Sequence, residues 1–131
     1  MPKAEMQPNT KDKSINILYI EDVDDLRDST VLGLEVRGYK VDPVATPRDA
    51  VDLLEPNKYQ LAIIDIDFSP FNGIQGDDFI AKSSDYLGGT QIIAYTGVES
   101  KIKDKNRDLF RRIISKGHGD TLFEEVAEVN K

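Results

Sequence analysis

The chain contains no cysteine. That excludes a disulfide framework and any thiolate metal site. Histidine is almost as scarce: His118 is the only one, too few for a histidine-based metal centre and a poor basis for a catalytic triad. No apolar run approaches the roughly 18 residues of a membrane span. The first residues lack the apolar core of a secretion signal. Together these absences predict a cytoplasmic protein with no membrane partner. Basic residues are outnumbered, 17 Lys and Arg against 24 Asp and Glu, for a net charge of −7. A nucleic-acid backbone, which needs clustered cations, is therefore not an expected partner.

What the chain does have is acids placed directly after apolar runs. Leu61-Ala62-Ile63-Ile64 leads into Asp65, and Asp67 follows two positions on. Ile15-Asn16-Ile17-Leu18-Tyr19-Ile20 leads in the same way into Glu21-Asp22. Unbroken apolar runs of this length read as strands buried on both faces, the signature of a parallel sheet. In open α/β sheets the ligand site lies beyond the carboxyl ends of the strands, so these acids are expected to share one pocket. Carboxylates gathered that closely hold a hard cation such as Mg2+.

The 131 residues suit one domain with a real core. Residues 1–13 carry two prolines and scattered charges without periodicity and read as a disordered arm; residues 14–131 form the domain. Strands are expected over 15–20, 39–44, 61–65, 90–95 and 111–115. Pro43 assigns the second strand to a sheet edge. Helices are expected over 24–37, stopped by Gly38; from Pro47 to about 55, with Thr46 as N-cap; from 77 to about 86; from 99 to about 110, on a thin apolar face; and from Thr121, where Thr121-Leu122-Phe123-Glu124 fits a capping box. The loop between 65 and 76 is rich in Ser, Pro, Asn and Gly. Strict alternation of strand and helix predicts an α/β fold, a five-stranded doubly wound parallel sheet with helices on both faces, whose strands all end on one edge. Glu21, Asp22, Asp65, Thr96 and Lys116 each fall at or just after a strand end, so they are expected to converge.

Three carboxylates cannot sit together unneutralised. A divalent cation and Lys116 relieve the repulsion, and the Thr96 hydroxyl completes a set suited to a phosphoryl group. The cation and Lys116 neutralise its oxygens, Thr96 donates a hydrogen bond, and a carboxylate attacks phosphorus in line. Asp65 is the best placed nucleophile. Each residue also has a plainer reading. Asp65 caps the next helix, Glu21 and Asp22 are first-turn acids favoured by a helix dipole, Thr96 is an N-cap, and Lys116 is a surface lysine.

With these pieces in order, the chain resembles the receiver domains of two-component response regulators. The resemblance is carried by Ile17-Leu18-Tyr19-Ile20-Glu21-Asp22, Leu61-Ala62-Ile63-Ile64-Asp65, Gly73, Ile92-Ile93-Ala94-Tyr95-Thr96-Gly97 and Ile113-Ile114-Ser115-Lys116. It implies a flavodoxin-like (βα)5 fold with strand order 2-1-3-4-5. It implies that Asp65 is the phosphoacceptor, served by the phosphohistidine of a sensor histidine kinase or histidine phosphotransfer protein. Glu21, Asp22, Asp65 and the backbone carbonyl of Asp67 would hold Mg2+. Thr96 and Lys116 would contact the phosphoryl group and relay its presence to the last two βα units, where a downstream protein target would dock. Such a switch is not an enzyme beyond its own phosphorylation and slow dephosphorylation. The expected form is a stand-alone receiver, or alternatively a piece of a larger regulator.

The chain departs from the family pattern at four places. Ser69 stands where the family has proline, and Pro70 follows. Gly117 follows the lysine, where the family has proline. Ile113 occupies the position of the switch aromatic. Asp67 adds a carboxylate beside the site. Two further readings therefore stay open. One is a degenerate receiver that docks without phosphorylation. The other is a Mg2+-dependent phosphoryl-transfer enzyme, either of the Toprim type, in which Glu21, Asp25, Asp65 and Asp67 supply the acids, or of the haloacid-dehalogenase type, which uses an Asp-x-Asp such as Asp65-Ile66-Asp67 as nucleophile and acid.

Overall fold

The structure, a computed structural model, describes residues 15–67 and 75–129. The arm assigned to residues 1–13, and Ser69, Pro70 and Gly73, lie outside the described residues. The apolar runs form five strands: β1 (Asn16–Ile20), β2 (Lys40–Val44), β3 (Leu61–Ile64), β4 (Gln91–Thr96) and β5 (Arg112–Ser115). All neighbouring pairs are parallel, in the order β2-β1-β3-β4-β5. The expected topology is thus met, and Pro43 lies in β2 at the sheet edge.

Alternate side chains of each strand serve opposite layers, as the period of two requires. Ile17, Tyr19, Leu61, Ile63, Ile93, Tyr95 and Ile114 pack against α1 (Asp24–Glu35) and α5 (Gly119–Val129) through Leu34, Leu122 and Val126. Leu18, Ile20, Ala62, Ile64, Ile92 and Ala94 face the other layer. That layer holds α2 (Pro47–Val51), α3 (Gly76–Lys82), α4 (Ser84–Leu87) and the segment before β5. β3 is buried along its whole length, which is why it reads as an unbroken apolar run rather than an alternating one.

Several helix expectations change in detail. Thr46 does cap α2, its hydroxyl accepting from Asp49 N at 3.1 Å with Pro47 at the first position, but the helix closes at Val51 rather than near 55. The helix expected from 77 is broken at Ser83 into α3 and α4. The capping box at Thr121 does not form, because α5 starts two residues earlier at Gly119 and Leu122 N already bonds the His118 carbonyl at 3.1 Å. The helix expected over 99–110 is replaced by two 3-10 turns, Glu99–Lys101 and Asp104–Leu109. Lys103 N, which an α-helix would bond within its own backbone, donates instead to the Asp77 side chain at 2.9 Å. A face with little apolar surface supplies few contacts to resist that substitution.

Candidate functional site

β1 and β3 are neighbours, and the ladder continues one residue past each strand. Asp65 N donates to the Ile20 carbonyl, and Glu21 N to the Val44 carbonyl. Glu21 and Asp65 are thereby set side by side at the carboxyl edge. At the far end of β4, Lys116 N donates to the Thr96 carbonyl, which starts the lysine two strands from Asp65, a span of roughly 10 Å. Its long stem reaches across. The ammonium lies 2.8 Å from Asp65 Oδ2 and donates to Glu21 Oε2 at 3.1 Å. The five residues expected to converge therefore share one edge of the sheet.

The electrostatics follow from burial. Glu21 is fully buried and Asp65 nearly so, at 4% exposure. Burial pushes the Glu21 carboxyl above the ordinary 4.5, and hydrogen bonds from Lys116 and Val23 N offset only part of this. Burial pulls the Lys116 ammonium down, but hydrogen bonds to Asp65 and Glu21 outweigh it and the net shift is upward from 10.5. The lysine is thereby held in its charged form between the two acids. Asp65 Oδ1 accepts from Ile66 N at 2.7 Å, which fixes the plane of the carboxylate while Oδ2 faces the lysine.

These acids also fit a cation. Glu21, Asp22 and Asp65 each offer an oxygen, all within 4.8 Å of one another. Glu21 Oε1 is buried and has no hydrogen-bond partner, the Lys116 ammonium lying 3.0 Å away in an ion pair. Three carboxylates this close, with a buried oxygen of Glu21 making no hydrogen bond, are a donor set suited to a hard ion. Asp25, by contrast, is exposed in the first turn of α1 and lies outside this group, so the acid pattern of the Toprim-type reading is not assembled.

An open cleft of about 410 Å3 leads to the acids, lined by Asp22, Val23, Asp65, Asp67, Gly97, Val98 and Lys116. The Thr96 hydroxyl is buried behind this lining and accepts from Val98 N at 3.2 Å, which leaves its hydrogen available to donate. Asp67 pairs with Lys101 at 3.3 Å at the cleft mouth, so its added charge meets a cation. Gly117 sits at φ +94°, a conformation closed to the proline found there in the family. Ile113 is half-buried and packs against the α3 layer.

Two supporting residues carried no signal in the sequence. Arg27 donates to the Glu21 carbonyl at 2.8 Å while pairing with Asp24, which braces the loop that presents Glu21. Gly76 N donates to the Ile66 carbonyl, and a Cβ at Gly76 would strike the Asp65 carbonyl oxygen. An arginine in a first helical turn and a glycine after a loop are too ordinary to stand out; only the tertiary contact identifies them.

The family model of the response regulator receiver domain matches residues 17–123. Among solved structures, the receiver domain of the hybrid histidine kinase CckA is 26% identical, covering 88% of this chain and 99% of its own, with a TM-score of 0.72. The response regulator TrrA from Thermotoga maritima, solved with Mg2+ and BeF, is 22% identical over 87% of this chain and 97% of its own, TM-score 0.74. TrrA in complex with the histidine kinase ThkA matches at 23% identity, covering 87% of this chain and 97% of its own, again with a TM-score of 0.74. Among the described residues no helix is long and apolar enough to cross a membrane.

Proposed function

This chain belongs to the response regulator receiver domain family, and we propose that within residues 14–131 it works as a phosphoacceptor switch with Asp65 as the acceptor. The observation that carries the reading is the bridge from Lys116 to both Asp65 and Glu21 at the head of the cleft. A carboxylate with one oxygen pinned by a backbone N–H and the other against an ammonium is held in a single orientation. A phosphoryl donor entering the cleft meets it end on. The Asp65 oxygen forms the new P–O bond as the P–N bond of the donor's phosphohistidine breaks, and the histidine retains the electron pair.

Glu21, Asp22 and Asp65, with the backbone carbonyl of Asp67, would hold Mg2+, which when bound supplies positive charge to the acids and to the phosphoryl oxygens. Lys116 then exchanges its contact with Asp65 Oδ2 for a phosphoryl oxygen, and Thr96 donates its hydroxyl hydrogen to another. The donor is a sensor histidine kinase or a histidine phosphotransfer protein, and the output is a protein contact on the last two βα units. The chain's own chemistry is confined to gaining and slowly losing one phosphoryl group.

The test is incubation with Mg2+ and acetyl phosphate, read by intact mass and backbone amide spectra. The expected result is a gain of one phosphoryl group, abolished by Asp65→Asn. A wild-type protein that gains no mass and shows no spectral change favours the phosphorylation-independent docking module instead. Repeated turnover of a phosphorylated substrate would favour a phosphoryl-transfer enzyme.

A further inference from the structure

Asp77 is a fully buried carboxylate with no part in the cleft. Its Oδ2 accepts from Lys103 N at 2.9 Å and from Asn106 Nδ2 at 2.9 Å, while Oδ1 is buried without a hydrogen-bond partner. The neighbouring Asp78 accepts from Asn106 Nδ2 at 3.1 Å and from the Lys103 ammonium at 2.8 Å. One short stretch of α3 therefore grips the 3-10 segment at a backbone group and at the buried Asn106 side chain. The residue before Asp77 is Gly76, whose backbone rests on the Asp65 carbonyl and bonds the Ile66 carbonyl at 3.0 Å. Asp65 and the 3-10 segment are thus joined by a path of direct contacts only a few residues long.

We propose that Asp77 is a positioning residue that, through Lys103 N and Asn106, holds the Asp104–Leu109 turn in its 3-10 form and changes that hold when Asp65 changes state. The segment's sequence is compatible with an α-helix, and the Asp77 carboxylate takes the N–H of Lys103 that such a helix would use internally. A shift of the Asp65 backbone moves Gly76, because no space separates the two. Moving Gly76 moves Asp77, whose second oxygen lacks a bond that would hold it in place. Freed from Asp77, Lys103 N turns to its own backbone and the segment rewinds, altering the exposed surface of Lys101, Asp104, Lys105, Asp108 and Leu109. This route needs no aromatic side chain at Ile113. It rests on the phosphoacceptor reading of Asp65.

The test compares amide spectra of the wild type, Asp77→Asn and Asn106→Ala, each with and without Mg2+ and beryllium fluoride. In the wild type, residues 66 and 97 beside the site and residues 103 and 106 should all shift. In either variant, 66 and 97 should still shift while 103 and 106 lose most of their response, and the unliganded segment should show more α-helical carbon shifts than the wild type. Full retention of the 103 and 106 response in both variants overturns the inference and leaves the Asp65 reading intact. If the mimic leaves residues 66 and 97 unmoved in the wild type, the phosphoacceptor reading falls instead. Asp65→Asn then supplies the perturbation: its effect on 103 and 106 should vanish in the Asp77→Asn background, and persistence there overturns the relay. Asn106→Ala keeps the test open should Asp77→Asn fail to fold.

Discussion

The Lys116 ammonium lies 2.8 Å from Asp65 Oδ2, although 51 residues separate the two along the chain. The same ammonium also faces the buried Glu21. One cation on the most distant strand is therefore what allows two buried acids to sit at the edge of the sheet.

Replacing it should expose that dependence. Lys116→Ala leaves Glu21 and Asp65 without their cation, and urea unfolding at neutral pH should show a loss of about 2–3 kcal/mol, somewhat under the cost for a fully buried pair because the lysine is partly exposed. Lys116 has a raised pKa, so its contribution is complete below the ordinary 10.5 and fades as pH rises through the raised value. The gap between wild type and variant should therefore close at strongly alkaline pH. A gap that stays constant there would show that the loss comes from packing alone.

Gly76 tests the close approach at the other side of the site. An added methyl meets the Asp65 carbonyl oxygen and Ile66 Cα, both backbone atoms of the central strand. Gly76→Ala should cost about 2 kcal/mol of stability. Gly89→Ala, where nothing lies within 4 Å of the added carbon, should stay within about 0.5 kcal/mol. Equal thermal midpoints for the two variants would contradict the contact.

Gly33 lies inside α1, where alanine is normally favoured by about 1 kcal/mol. Here the added carbon would sit 2.5 Å from Phe123 Cζ, and that ring also carries the Arg37 guanidinium 3.9 Å from its centroid. Gly33→Ala should fail to stabilise the wild type, yet stabilise a Phe123→Ala background by about 1 kcal/mol. A double-mutant cycle from denaturant melts measures the difference; additive effects would mean that the ring and the helix do not press on each other.

Glu125 bridges Arg111 and Arg112 at 2.6 and 3.0 Å. Burial works to raise its pKa, but the two guanidinium groups outweigh it and hold the carboxyl below 4.5. For a depressed acid, stability is present above the unfolded value and drains away as pH falls through the folded one. Glu125→Gln should therefore cost about 1 kcal/mol at pH 7 and lose that disadvantage in acid. Melting temperatures from pH 7 down to pH 2 supply the check, with parallel curves as the contrary result.

The strand order and the shared edge were legible in the chain because burial writes itself locally. Leu61 to Ile64 are apolar without interruption since β3 has neighbours on both sides and helices on both faces. The acid that ends the run lies where such a sheet opens. Lys116 was legible for the same reason, as a charged residue straight after a strand. The segment at 99–110 was not, because the Lys103 N–H is taken by a carboxylate 26 residues away. The start of α5 was missed because Thr121 offers a cap whose competing backbone bond, to His118, appears only once the chain is folded.

By itself the amino-acid order determined which residues reach the carboxyl edge, since apolar runs and their terminal acids are local facts of hydrophobicity and chain direction. Only the tertiary structure decided what each does there. Hydrogen bonds and close contacts between distant segments made Asp77 a grip on the 3-10 turns, Gly76 a bearing surface for Asp65, and Glu21 Oε1 a buried oxygen without a hydrogen bond. Such contacts depend on distances of a few ångströms across the fold, and no spacing along the chain records them.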